Sequence, residues 1–70
     1  MPLVIAPINC ELRIIKVLAN EKLKKHLESL GIVVNERLTI ISKASGNVIC
    51  IIKEGRLALD KDIASKILVA

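Results

Sequence analysis

The groups in this 70-residue chain that could do chemistry are few: two cysteines, Cys10 and Cys50, one histidine, His26, and seven Asp and Glu. Together the thiols and the imidazole could hold a soft metal ion. One histidine cannot supply a catalytic triad alongside a multi-histidine metal site, and no Cys, Asp or Glu stands at a metal-ligand spacing from His26. His26 is expected on the flank of a surface helix, and Cys50, inside an apolar run, behaves as a small buried hydrophobe. Cys10, His26 and Cys50 are therefore the only metal candidates, and no cofactor is expected. A nucleophile needs an adjacent base, and an acid catalyst needs a pocket that shifts its pKa; neither pattern is visible. Asp60 and Asp62 read as a helix cap and a first-turn charge. The glycines at 31, 46 and 55 are too dispersed for a phosphate loop. The chain does not read as an enzyme.

Seventy residues are close to the lower limit for a core without metal or disulfides, so one domain, 1–70, is expected. Hydrophobic residues make up 53% of the chain, yet Phe, Tyr and Trp are absent, so the interior must be aliphatic. That composition excludes disorder. The missing aromatics also weigh against a groove for proline-rich peptides and against stacking of single-stranded nucleic acid. No signal-peptide pattern or membrane-length apolar run appears, and the two cysteines form no disulfide framework. A cytoplasmic protein with free thiols is expected. The net charge of +4 favours acidic partners weakly, because the acids are interspersed among eleven Lys and Arg.

The elements that must position these groups change type at Gly31. Before it, Leu23, Leu27 and Leu30 fall on one helical face; after Asn35 the chain reads in β-branched runs. Asn20 and Glu21 are a helix start, and Gly31 is a stop in the left-handed region, with Ile32 packing back on Leu27. Upstream, Leu3–Ile5 between Pro2 and Pro7 reads as an extended edge segment. Cys10 to Leu18 is a strand whose apolar phase switches from Leu12 and Ile14 to Ile15 and Val17, as at a bulge. Arg37 to Ser42 is a second strand, Lys43–Gly46 a hairpin loop, and Asn47 to Ile52 a third strand, apolar on both faces and the most deeply buried. Glu54–Gly55 turns into a fourth strand, Arg56 to Leu59. A helical turn capped by Asp60 leads to a closing strand, Lys66 to Val69. The fold class is mainly β: a small barrel of about five strands with one short α-helix after the first strand, its edges removed by closure.

The set Leu27-x-x-Leu30-Gly31-Ile32, Leu38-Thr39-Ile40, Val48-x-Cys50-x-Ile52, Gly55-x-Leu57-Ala58-Leu59, Ala64 and Ile67-Leu68-Val69 resembles the FeoA-like family over nearly the whole chain. Two positions depart from the pattern: the family often has glycine where Asn35 stands, and commonly has glycine near Asn9 or Cys10. The resemblance implies an SH3-like barrel and a non-catalytic accessory of bacterial ferrous iron transport. Such a protein would act from the cytosolic side on an inner-membrane transporter with a GTP-binding part. Ferrous iron is then the ion that Cys10, His26 and Cys50 would meet, if any.

For a partner surface, Val33 and Val34 at the helix-to-strand turn, with Lys24, Lys25 and Arg37 nearby, are the expected contacts. Two other functions stay open. One is a metal-binding or sensing module like the SH3-like domains of iron-dependent repressors, and the other is a basic RNA-binding barrel, whose affinity would fall with salt.

Overall fold

The computed structural model describes residues 1–70. A 3-10 turn at Leu3–Ile5 is followed by β1 (Glu11–Val17), α1 (Glu21–Ser29), β2 (Arg37–Ala44), β3 (Asn47–Ile52), β4 (Gly55–Leu59), α2 (Lys61–Ala64) and β5 (Ile67–Val69). The strands make one antiparallel sheet in the order β4-β3-β2-β1-β5. Two register shifts bend it, between Ile14 and Lys16 on β1 and between Ile40 and Ser42 on β2. Each inserts an extra residue and increases the local twist, so a flat meander becomes a curl around one aliphatic core.

That core holds 16 buried residues, all apolar, from every strand and from α1 and α2. The β1 bulge settles the phase switch seen in the sequence. Ile14 and Val17 both point inward and are buried, and the inserted Ile15 is exposed.

Local chemistry ends α1 where the sequence requires. Asn20 accepts from the Leu23 amide at 2.8 Å, capping the helix start. At the other end Gly31 has φ +98°, the Ile32 amide donates to the Leu27 carbonyl at 2.9 Å and the Gly31 amide to Glu28 at 3.0 Å. This is a Schellman stop, and its hydrophobic pair, Leu27 and Ile32, is buried in the core. A methyl on Gly31 would meet the Glu54 Oε2 at 2.5 Å and the Ile52 Cδ1 at 2.9 Å, so the glycine also lets the β3–β4 turn settle on the helix end.

The two departures from the glycine pattern are accommodated by asparagine. Asn9 has φ 61° and Asn35 has φ 77°, conformations that Asn adopts more readily than most residues. The Asn9 amide donates to the Ile40 carbonyl at 2.7 Å, so the first turn is anchored on β2.

Four expectations are corrected. Leu3–Ile5 is a 3-10 turn, with Pro2 as its extended first cap, and not an extended strand; it buries Leu3 and Ala6 in the core. β3 is not buried on both faces: Val48, Cys50 and Ile52 point inward, but Ile51 is 45% exposed, because no second layer covers the outer side of the sheet. Closure does not remove the sheet edges, since β4 and β5 lie at opposite ends of the strand order and do not pair. The β2–β3 hairpin is also tighter than a four-residue loop. Ser45 (φ 54°) and Gly46 (φ 85°) form the two-residue turn whose twist suits a hairpin, leaving Lys43 and Ala44 in β2.

Candidate partner interface

The chain from α1 to β2 is pinned onto β1 at its bulge. Val33 to Glu36 makes a turn closed by the Glu36 amide on the Val33 carbonyl at 3.0 Å, with Asn35 in the third position where positive φ is required. The Asn35 amide donates to the Ile14 carbonyl at 2.7 Å, and the Ile14 amide to Glu36 at 2.9 Å. The Arg13 Nη1 donates to the Asn35 Oδ1 at 2.8 Å. These four bonds hold Val33 and Val34 outward, 39% and 46% exposed, and Ile15 emerges beside the same junction.

Next to this turn lies the uncovered outer face of the sheet. A shallow groove of about 390 Å³ is lined there by Glu11, Glu36, Arg37, Thr39, Ile51 and Lys53, among others. Arg37 bonds to the Glu11 carboxylate at 2.8 Å, both side chains largely exposed. An exposed pair of this kind contributes little to stability. Arg13 stands directly opposite Arg37 on the neighbouring strand. Two like charges on one face of a sheet oppose folding, so Glu11 and Asn35 each draw one guanidinium aside.

The expected interface residues divide. Val33, Val34 and Arg37 fall together around the turn and the groove. Lys24, half-buried, and Lys25, exposed, are on α1, and no bond or ion pair links them to the turn. Glu11, Thr39, Ile51 and Lys53 were not foreseen. Ile51 carried a signal, because a strand apolar at every position must expose half of its side chains when only one face is covered.

The metal candidates stay apart. Cys50 is fully buried on the inner face of β3, and burial pushes its thiol pKa up, which favours the neutral form over a metal-binding thiolate. Cys10 is exposed at the entrance of β1, and His26 is exposed on α1. No three His, Cys, Asp or Glu side chains are grouped as a metal site would need. No helix is long and apolar enough to cross a membrane.

The architecture is that of a small SH3-like barrel with an uncovered amphipathic face. It is shared with a crystal structure of an iron uptake regulatory protein (FeoA), at a TM-score of 0.89 and 17% identity over 99% of this chain and 93% of that one. The solution structure of iron(II) transport protein A from Clostridium thermocellum matches with a TM-score of 0.89 and 27% identity, over 99% of this chain and 44% of that chain. A FeoA-like protein from Clostridium acetobutylicum matches with a TM-score of 0.84 and 25% identity, over 100% of this chain and 84% of the other. No curated protein matches in sequence. The FeoA domain family matches residues 1–70, and the chain belongs to that family.

Proposed function

We propose that this protein is a non-catalytic accessory of bacterial ferrous iron transport that docks on the cytosolic side of the inner-membrane transporter. The observation that carries this reading is the FeoA match along residues 1–70, together with the likeness to an iron(II) transport protein A. The local geometry adds a means of docking. Val33 and Val34 are exposed on a turn fixed by four hydrogen bonds, so little ordering entropy is lost when a partner covers them.

To modulate transport, the protein must bind one state of the transporter's GTP-binding part more tightly than another; equal affinity for both would shift nothing. The metal-sensing alternative finds less support, because a buried neutral thiol is a poor ligand. Chemical-shift mapping with the transporter's cytosolic domain, loaded with GTP and empty, tests the reading. Perturbation of Val33 to Arg37 that differs between the two forms is expected, and no binding to either form would overturn it. Val34→Asp should keep the folded spectrum and weaken binding by about tenfold or more, as burying an unpaired charge in an interface does.

A further inference from the structure

Strand β4 ends the sheet with an edge that no element covers. In its pairing with β3, Ile52 faces Gly55 across a two-residue turn, Cys50 faces Leu57 and Val48 faces Leu59. Residues that close a two-residue hairpin exchange hydrogen bonds, and bonded pairs alternate along an antiparallel ladder. Gly55, Leu57 and Leu59 therefore bond to β3, and Arg56 and Ala58 turn their N–H and C=O groups outward. Neither residue takes part in a backbone bond elsewhere in the fold. α2, which follows β4, turns back to pack on β3 and on the 3-10 turn rather than across this edge.

We propose that β4 pairs antiparallel with β4 of a second copy of this chain, about a two-fold axis that passes between the two Leu57 residues. In this register Arg56 lies opposite the other copy's Ala58, and all four outward backbone groups of each strand find a partner. Leu57, half-buried at the rim of the core, meets its own counterpart as a non-bonded pair, where side chains come closest. Each neighbouring register carries a penalty, one in charge and one in the backbone. Sliding one way sets Arg56 directly against Arg56 of the other copy. Sliding the other way would set Arg56 against the other copy's Asp60, but it calls on the Asp60 carbonyl, which already accepts from the Ala64 amide at 2.9 Å. In the centred register the two Arg56 residues are diagonal, about 7–8 Å apart, where long side chains can diverge.

The contact is small beside the roughly 1,000 Å² that a stable interface needs. The register also sets Glu54 against the other copy's Asp60 beyond the paired residues, and each copy carries a net charge of +4. The pairing is thus a weak one, tightened by salt.

The test is a dilution series of the full chain by amide NMR and sedimentation equilibrium, from tens of micromolar to millimolar. Concentration-dependent shifts confined to Arg56, Leu57 and Ala58 are expected, growing with ionic strength. Ala58→Pro removes a donor that the β3 ladder does not use, so the fold should persist and dimerisation should weaken by about tenfold or more. Two further variants read the register by sign without relying on proline. Ala58→Glu places a carboxylate opposite each Arg56 and should tighten association several-fold, and Ala58→Lys should weaken it by a similar factor. The proposal is overturned if shifts are independent of concentration, if they centre on Val33 to Arg37 instead, or if the Glu and Lys variants associate equally.

Discussion

The two edges of the sheet are finished differently. At β5 the Met1 nitrogen donates to the Val69 carbonyl at 2.8 Å, the Val69 amide donates to the Met1 carbonyl at 2.7 Å, and Pro2 bridges to Leu68. The chain then dives into the 3-10 turn and buries Leu3 in the core. At β4 nothing comparable exists, and only the shortness of the strand and the charge of Arg56 discourage pairing. A proline beside one edge removes a donor there and the segment beneath adds core volume, so sealing and packing are one device. The other edge is left with little apolar mass, and hydrogen-bonding capacity there is free for another chain.

The difference in packing sets the largest expected effect. Leu3 has no exposed surface, so Leu3→Ala should cost about 2–4 kcal/mol in a denaturant melt and loosen the seal on β5. Leu57→Ala, at the open edge, removes a half-buried side chain and should cost about 1 kcal/mol. Equal losses would mean that the edges do not differ in the way the geometry indicates.

Gly31→Ala comes next. Its φ of +98° strains any residue with a Cβ, and the added methyl would crowd the Glu54 and Ile52 side chains. The expected cost is about 1–2 kcal/mol. Because Glu54 belongs to the turn that leads into β4, the backbone part of this loss should persist in the Glu54→Ala background and the crowding part should shrink. A double-mutant cycle in melts checks the division.

These expectations also mark how far the sequence could be read. Asn20, Gly31 and Asp60 act on backbone groups within a few residues, so both caps and the helix stop were visible from residue type and spacing alone. The site beside them was only half visible. Val33, Val34 and Arg37 are close in sequence, but Glu11 and Ile51 join them through strand register, which the apolar run of β3 conceals by erasing the two-residue period. Leu3–Ile5 does not line an edge; Met1 and Pro2 flank β5 instead, and Leu3 turns into the core. The segment's 3-10 form was missed because the burial of Leu3 and Ala6, not any local preference, selects it.

The support beneath the open edge has a pH signature. Cys50 on β3 lies opposite Leu57 in register, and burial raises its thiol pKa. The unfolded chain therefore loses this proton at a lower pH than the folded one. Stability is fully present below the unfolded thiol pKa of about 8.5 and is lost as pH rises from there through the folded value. Thermal melts between neutral and alkaline pH should show this fall, and Cys50→Val should flatten it. In thiol titration Cys10 should react at once and Cys50 only on unfolding, since one is exposed and the other buried.

The smallest expected effect concerns the outer face that runs between the two edges. Arg13 and Arg37 form a directly opposed pair. Arg13 bonds through its backbone to Ala70, the residue after β5, its amide donating to the Ala70 carbonyl and its carbonyl accepting from the Ala70 amide, both at 2.9 Å. The pair is therefore of the non-bonded kind, whose side chains are closest. Arg13→Thr should relieve this repulsion and stabilise the fold by less than about 0.5 kcal/mol at low salt, an advantage that disappears as salt screens the charges. If the variant is instead destabilised by more than about 1 kcal/mol, the Arg13 bond to the Asn35 Oδ1 is what holds the turn.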